Sequence, residues 1–109
     1  MKFIRGLYVG NSIKKVNKVK WKLYAGAGQF DVYLICLANN RDQLDIFHCS
    51  QLKQKYFDKK KLRIVGLAGS KGEAYQLVGK MLADTLAAGM EGDIKGYLKK
   101  GFDPERGGI

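Results

Sequence analysis

The stretch Phe30-Asp-Val-Tyr-Leu-Ile-Cys-Leu-Ala-Asn-Asn-Arg-Asp-Gln-Leu-Asp-Ile-Phe-His-Cys49 decides the fold. Its first part, Phe30 to Ala38, is apolar at nearly every position, with Val32 to Leu37 consecutive, which is the pattern of a central strand covered on both faces. Asn39 to Asp42 is a turn by composition, and Gln43 to Cys49 resumes extended character with Leu44, Ile46 and Phe47. The two strands form a hairpin. A four-residue loop at 39–42 pairs Cys36 with Asp45 and Cys49 with Val32, which leaves the two cysteines about 13 Å apart along the sheet. Neither a disulfide nor a shared metal ion fits that separation.

Working outward, Lys2 to Val9 reads as a strand that stops at Gly10 and Asn11. The segment 12–25 supports two readings. From Lys18 to Leu23 the apolar residues Val19, Trp21 and Leu23 alternate with Lys18, Lys20 and Lys22, as in a half-exposed strand. On a helix, Ile13, Val16, Val19, Leu23 and Tyr24 form one stripe and Lys14, Lys15, Lys18 and Lys22 the opposite face, with Ser12 as cap and Gly26 as stop. The helix is the preferred reading, and Trp21, which fits that wheel poorly, is the argument against it.

Downstream, Gln51 to Lys60 reads as a short basic helix or turn presenting Leu52, Tyr56 and Phe57 inward, and Leu62 to Ala68 as a second buried strand. The clearest element is a long amphipathic helix at about 71–88, with Ala74, Leu77, Val78, Met81, Leu82, Thr85 and Leu86 on one face. Ser70 and Glu73 form a capping box at its start, and Gly89 ends it. Asp93 to Lys100 adds a short helix. The order predicts a single two-layer α+β domain over 1–100: a mixed or antiparallel sheet of about four strands with helices packed on it. Residues 101–109, with Pro104 and three glycines, read as a flexible tail.

A chain of 109 residues with 46% hydrophobic content can build one modest core without disulfides or metal. Two cysteines in an ordinary globular composition point to a reducing, cytoplasmic setting. Arg5 interrupts the first apolar stretch, so no signal-peptide pattern is expected, and no uninterrupted apolar run approaches a membrane span.

The charge is lopsided. Residues 1–68 hold 14 Lys plus Arg against four Asp, and residues 69–109 hold six of each sign, so the whole net charge of +10 sits in the first two thirds. It falls in two clusters, one containing Lys14, Lys15, Lys18, Lys20 and Lys22, the other Lys53, Lys55, Lys59, Lys60, Lys61 and Arg63. Such clusters raise the local potential and attract polyanions.

Chemistry-bearing constellations are few. His48 has no evident nucleophile partner in the sequence, and the carboxylates are scattered singly, so neither a catalytic set nor a metal site is assigned and no cofactor is expected. Gly66-Leu-Ala-Gly-Ser-Lys-Gly72 lies between a buried strand and a helix start, where amide groups can hold a phosphate; Gly69, Ser70, Lys71 and Gly72 are the candidate anion site. The loop lacks the spacing of the phosphate-binding loop and of the dinucleotide fingerprint. A tight turn with a capping box accounts for its residues.

Gly6-Leu-Tyr-Val-Gly-Asn11 resembles the short first-strand motif of RNA recognition motif domains, whose aromatic residue stacks on a base, and the element order resembles that family's as well. The matching aromatic is Tyr8. The third strand carries Phe47 but not the family's Gly-rich, double-aromatic second motif. The resemblance, which covers six residues, implies Tyr8 and Phe47 as stacking platforms.

The expectation is therefore a small non-catalytic basic domain that binds a polyanion, nucleic acid or a nucleoprotein complex, through its lysines and largely without regard to base sequence. Two alternatives are a protein-interaction or inhibitor module docking on an acidic patch of a larger protein, and a binder of small phosphate ligands at the 66–72 loop.

Overall fold

The hairpin forms in the register its loop length dictates. Cys36 lies opposite Asp45 and Tyr33 opposite His48, and the Cys49 amide donates to the Val32 carbonyl at 2.9 Å. Residues 1–26, 31–39, 43–53 and 58–102 are described in the computed structural model of the chain. Among them are four strands and three helices: β1 (Lys2–Val9), α1 (Val16–Ala25), β2 (Tyr33–Leu37), β3 (Leu44–His48), β4 (Arg63–Ala68), α2 (Lys71–Ala87) and α3 (Ile94–Lys99). Short 3₁₀ turns occupy Cys49–Lys53, Lys59–Lys61 and Lys100–Phe102. Gly101 and Phe102 of the expected tail thus lie in a turn, whereas 103–109, like Tyr56 and Phe57, fall outside the described residues.

The sheet runs in the order β1-β4-β2-β3. Strand β4 is parallel to β1 and antiparallel to β2, so of the two arrangements the sequence left open, mixed or antiparallel, the sheet is the mixed one. The consecutive apolar residues of β2 and β4 follow from their central position: Leu34, Ile35, Cys36, Ile64, Val65 and Leu67 are all buried. Alternation sends Ile35 and Leu37 to one face and Leu34 and Cys36 to the other. Val65 is the extra residue where the pairing jumps from Ile35–Gly66 to Cys36–Ile64, and it packs with Ile35 on the first face.

On that first face α2 and α3 supply Ala74, Leu77, Met81, Ile94 and Leu98, forming with the sheet the α+β layers read from the sequence. On the other, α1 and the 49–53 turn cover Leu34, Cys36, Ile64 and Leu67 with Leu23, Cys49 and Leu52. The segment 12–25 is helical from Val16 because that arrangement buries Leu23 and packs Ile13, Val16 and Val19 against the sheet. Burying a leucine completely is worth about 1.5–3 kcal/mol. Gly26 closes the helix in the left-handed conformation, its amide bonded to the Lys22 carbonyl. Trp21 is 63% exposed, so its misfit to the apolar stripe reflects a side chain that faces water.

One capping expectation is corrected. The residue before α1 is Lys15, with no side-chain cap, and Ser12 is engaged elsewhere. The C-terminus of α2 is as read: Gly89 has φ +74° and its amide bonds to Leu86, while the Met90 amide bonds to Thr85. Asp93 caps α3 by accepting the Gly96 amide at 3.0 Å.

Candidate polyanion interface

The lysines do not gather on a single face; the topology divides them between the two ends of the sheet. At the end where β1 and β4 finish, an open groove of about 400 Å³ is lined by Lys14, Lys15, Lys18 and Lys22 together with Ser12, Ile13, Val19, Asp31, Val32 and Gly69. At the end where β1 and β4 begin, a second hollow of about 480 Å³ is lined by Lys2, Lys60, Lys61, Arg63, Lys95 and Lys99; among the described residues no carboxylate belongs to its lining, and Asp58 Oδ2 lies 4.0 Å from Lys61 Nζ. Between these ends stand the six residues of β4, roughly 17 Å at strand rise.

Each sequence-predicted cation has a definite place. Lys14, Lys15, Lys18 and Lys22 share the first groove, and Lys60, Lys61 and Arg63 the second. Lys20 instead lies over the Phe3 ring, 5.1 Å from its centroid, a cation–π contact that ties α1 to β1. Lys53 is exposed on the 49–53 turn and lines neither groove. Lys55 and the side chain of Lys59 lie outside the described residues. Lys2, Lys95 and Lys99 are the cations missed by the sequence reading. Lys2 stands outside both clusters and Lys95 and Lys99 lie in the charge-balanced last third; only the approach of α3 to the starts of β1 and β4 brings the three together.

The glycine-rich loop before α2 is filled from within. The Glu73 carboxylate accepts the Gly69 amide at 2.7 Å, the Ser12 hydroxyl at 2.6 Å and the Ser12 amide at 3.2 Å. Ser70 caps the helix as expected, its Oγ accepting the Glu73 amide at 3.1 Å. The glutamate half of the box has turned to the preceding glycine and to a serine 61 residues away. These bonds, from the Ser12 hydroxyl first and the Gly69 amide next, hold the Glu73 carboxyl below its ordinary range. A Cβ at Gly10 would overlap the carboxylate, and one at Gly69 would overlap Ser12 Oγ. Of the candidate anion site, Gly69 and Ser70 are therefore committed to Glu73, and Lys71 and Gly72 stand exposed on the first turn of α2.

Tyr8 and Phe47 are not brought together. They lie on opposite edge strands, Tyr8 packed against the α2 and α3 cluster and Phe47 against the α1 cluster on the other face. The Tyr8 hydroxyl donates to Asp84 on α2. Burial, with that bond and the Asp84 charge behind it, pushes the phenol well above its ordinary value.

His48 has partners that the sequence did not reveal. Its Nε2 lies 3.0 Å from Asp31 Oδ1 and its Nδ1 2.9 Å from Ser50 Oγ, while the Ser50 amide donates to the same Nδ1 at 3.1 Å. Because the Ser50 amide supplies the proton at Nδ1, that nitrogen is an acceptor and Nε2–H donates to Asp31. The arrangement secures the start of the 49–53 turn. Neither His48 nor Ser50 lines either groove.

Cys36 and Cys49 are buried and not joined in a disulfide, and burial pushes the Cys36 thiol well up. Among the described residues there is no cluster of metal-ligating side chains, and no helix is long and apolar enough to cross a membrane. Comparison with protein-family models, curated proteins and solved structures finds no match for this chain.

Proposed function

We propose that the protein is a non-catalytic basic domain that binds a polyanion, the phosphate backbone of nucleic acid, with little dependence on base sequence. The observation that carries this reading is the hollow lined by Lys2, Lys60, Lys61, Arg63, Lys95 and Lys99, where six cationic side chains from three elements and a turn surround one concavity; Asp58, 4.0 Å from Lys61 Nζ, stands outside that lining. Concentrated charge of one sign over a low-dielectric body attracts phosphates and raises their local concentration. The α1 groove adds four lysines. Sixteen of the twenty basic residues are lysines, which act as point charges rather than the planar forks that read guanine edges. Two buried cysteines outside any disulfide support placing this activity in a reducing cytoplasm.

Binding of labelled oligonucleotides of about 20 units, followed by anisotropy at about 50 and 200 mM salt, tests the reading. Engagement of six phosphates releases their counterions, and affinity falls about a thousandfold across that range. A salt-independent response, or no binding at the lower salt, overturns it. One observation favours the alternative of a protein-interaction module: Tyr75, Leu82 and Leu86 form an exposed apolar stripe along α2. A stoichiometric complex with an acidic protein, with no oligonucleotide bound, would establish that reading instead.

A further inference from the structure

We infer that Trp21 is a stacking residue that adapts the α1 groove to single-stranded nucleic acid; this rests on the polyanion reading and adds the class of strand. Trp21 is the chain's single tryptophan and is 63% exposed on the outer surface of α1. At 100° per residue it lies about 160° from both Val19 and Leu23, the residues that face the sheet, so its indole points directly away from the core. Among the described residues it makes no hydrogen bond, ion pair or ring contact. The neighbouring exposed aromatic is different: the Tyr24 hydroxyl donates to the Met1 carbonyl at 3.0 Å and its ring meets Phe3 edge-on, so Tyr24 is used by the fold.

Charge beside the indole selects the occupant. Lys18 and Lys22 lie about 60° and 100° around the helix from Trp21, both on the same side, and both line the groove with Lys14 and Lys15. The surface thus presents one exposed indole beside a trough lined by four lysines and Asp31. A single strand laid there places phosphates in the trough and turns an unpaired base onto the indole, the combination by which sequence-tolerant single-strand binders work. A duplex keeps its bases stacked inside and can use the lysines alone.

The single tryptophan makes the test direct. Intrinsic fluorescence is followed while the full chain is titrated with an oligothymidylate of about ten units, with a duplex of equal length and with heparin. The expected result is quenching by the single strand and not by duplex or heparin. W21A should weaken single-strand binding about tenfold and leave duplex binding unchanged, while W21F should retain most of the affinity. The exposure of the side chain keeps W21A folded, and circular dichroism checks this. Equal quenching by heparin, or single-strand and duplex binding that W21A does not alter, overturns the stacking role and leaves the polyanion reading standing. Failure of every nucleic acid to bind overturns both.

Discussion

The two ends of the sheet are both basic, yet their electrostatics differ in kind. Where β1 and β4 finish, the backbone amides that could receive an anion are already satisfied by Glu73, and Asp31 stands in the groove wall among the lysines. Where they begin, six cations line a hollow, and among the described residues no carboxylate shares that lining, Asp58 lying beside it at 4.0 Å from Lys61 Nζ. Glycine-rich sequence before a helix has therefore produced an internally closed turn, and bases scattered from Lys2 to Lys99 have produced the stronger concentration of positive charge.

The largest consequence concerns affinity. Reversing three cations at the open end, K60E/K61E/R63E, should weaken oligonucleotide binding by about a hundredfold or more and reduce the slope of log affinity against log salt by about three. The corresponding change at the other end, K14E/K15E/K18E, should have a smaller effect, because acids already offset part of that charge. Anisotropy titrations of the two variants decide it, and equal losses would show that the internal carboxylates make no difference to the surface.

Next in size is the cradle itself. E73A removes the acceptor for two amides and a hydroxyl at once, and should cost about 1–3 kcal/mol, seen as a fall in Tm of roughly 5–15 °C by circular dichroism. The vacated amides should then take an external anion, so that sulfate raises the Tm of E73A more than that of the native chain. An E73A protein as stable as the native one, and indifferent to sulfate, would remove the distinction between the two ends. G10A attacks the same contact from the opposite side, since its Cβ would occupy the position of Glu73 Oε1. It should cost about 1–2 kcal/mol alone and much less when added to E73A, because both changes remove one interaction.

Glu73 also gives the chain a pH dependence. Its carboxyl is held below the ordinary 4.5 by the Ser12 hydroxyl and the Gly69 amide. The stability so contributed is complete above the unfolded-chain value and is lost as the pH falls through the lower folded value. Thermal unfolding followed from neutral pH down to about 3 should show E73Q losing less stability than the native chain over that acid limb. Parallel curves would mean that the carboxylate's bonds are not coupled to folding.

What was legible in the sequence divides along similar lines. Local periodicity and turn length suffice for the Cys36–Asp45 register, for α2 with its Ser70 cap and Gly89 stop, and for the buried character of β2 and β4. Segment 12–25 resisted because lysines at every second position from Lys18 to Lys22 satisfy a strand and a helix together, and burial of Leu23 against the sheet settles what neither period could. The parallel pairing of β1 with β4 joins residues about 60 apart, and no local pattern encodes it. That pairing is also what separates the basic clusters, brings Lys2 beside Arg63, and sets Ser12 against Glu73. The capping box was read correctly at Ser70 and incompletely at Glu73, because its competing partner arrives from β1's far end.

The smallest effect isolates the one acid in the α1 groove wall. Asp31 is 87% exposed in its side chain and bonds to His48 Nε2, so D31N keeps an oxygen to accept that proton and removes a negative charge from among four lysines. Exposed pairs of this kind contribute little to stability, about 0–1 kcal/mol, so the fold should be unaffected. Oligonucleotide affinity should rise about two- to threefold at low salt, and the gain should vanish near 1 M, where the Debye length shrinks to about 3 Å. A gain that persists at high salt would assign the effect to shape rather than charge. No gain at low salt would place the α1 groove outside the interface and leave the hollow around Arg63 to bind phosphate alone.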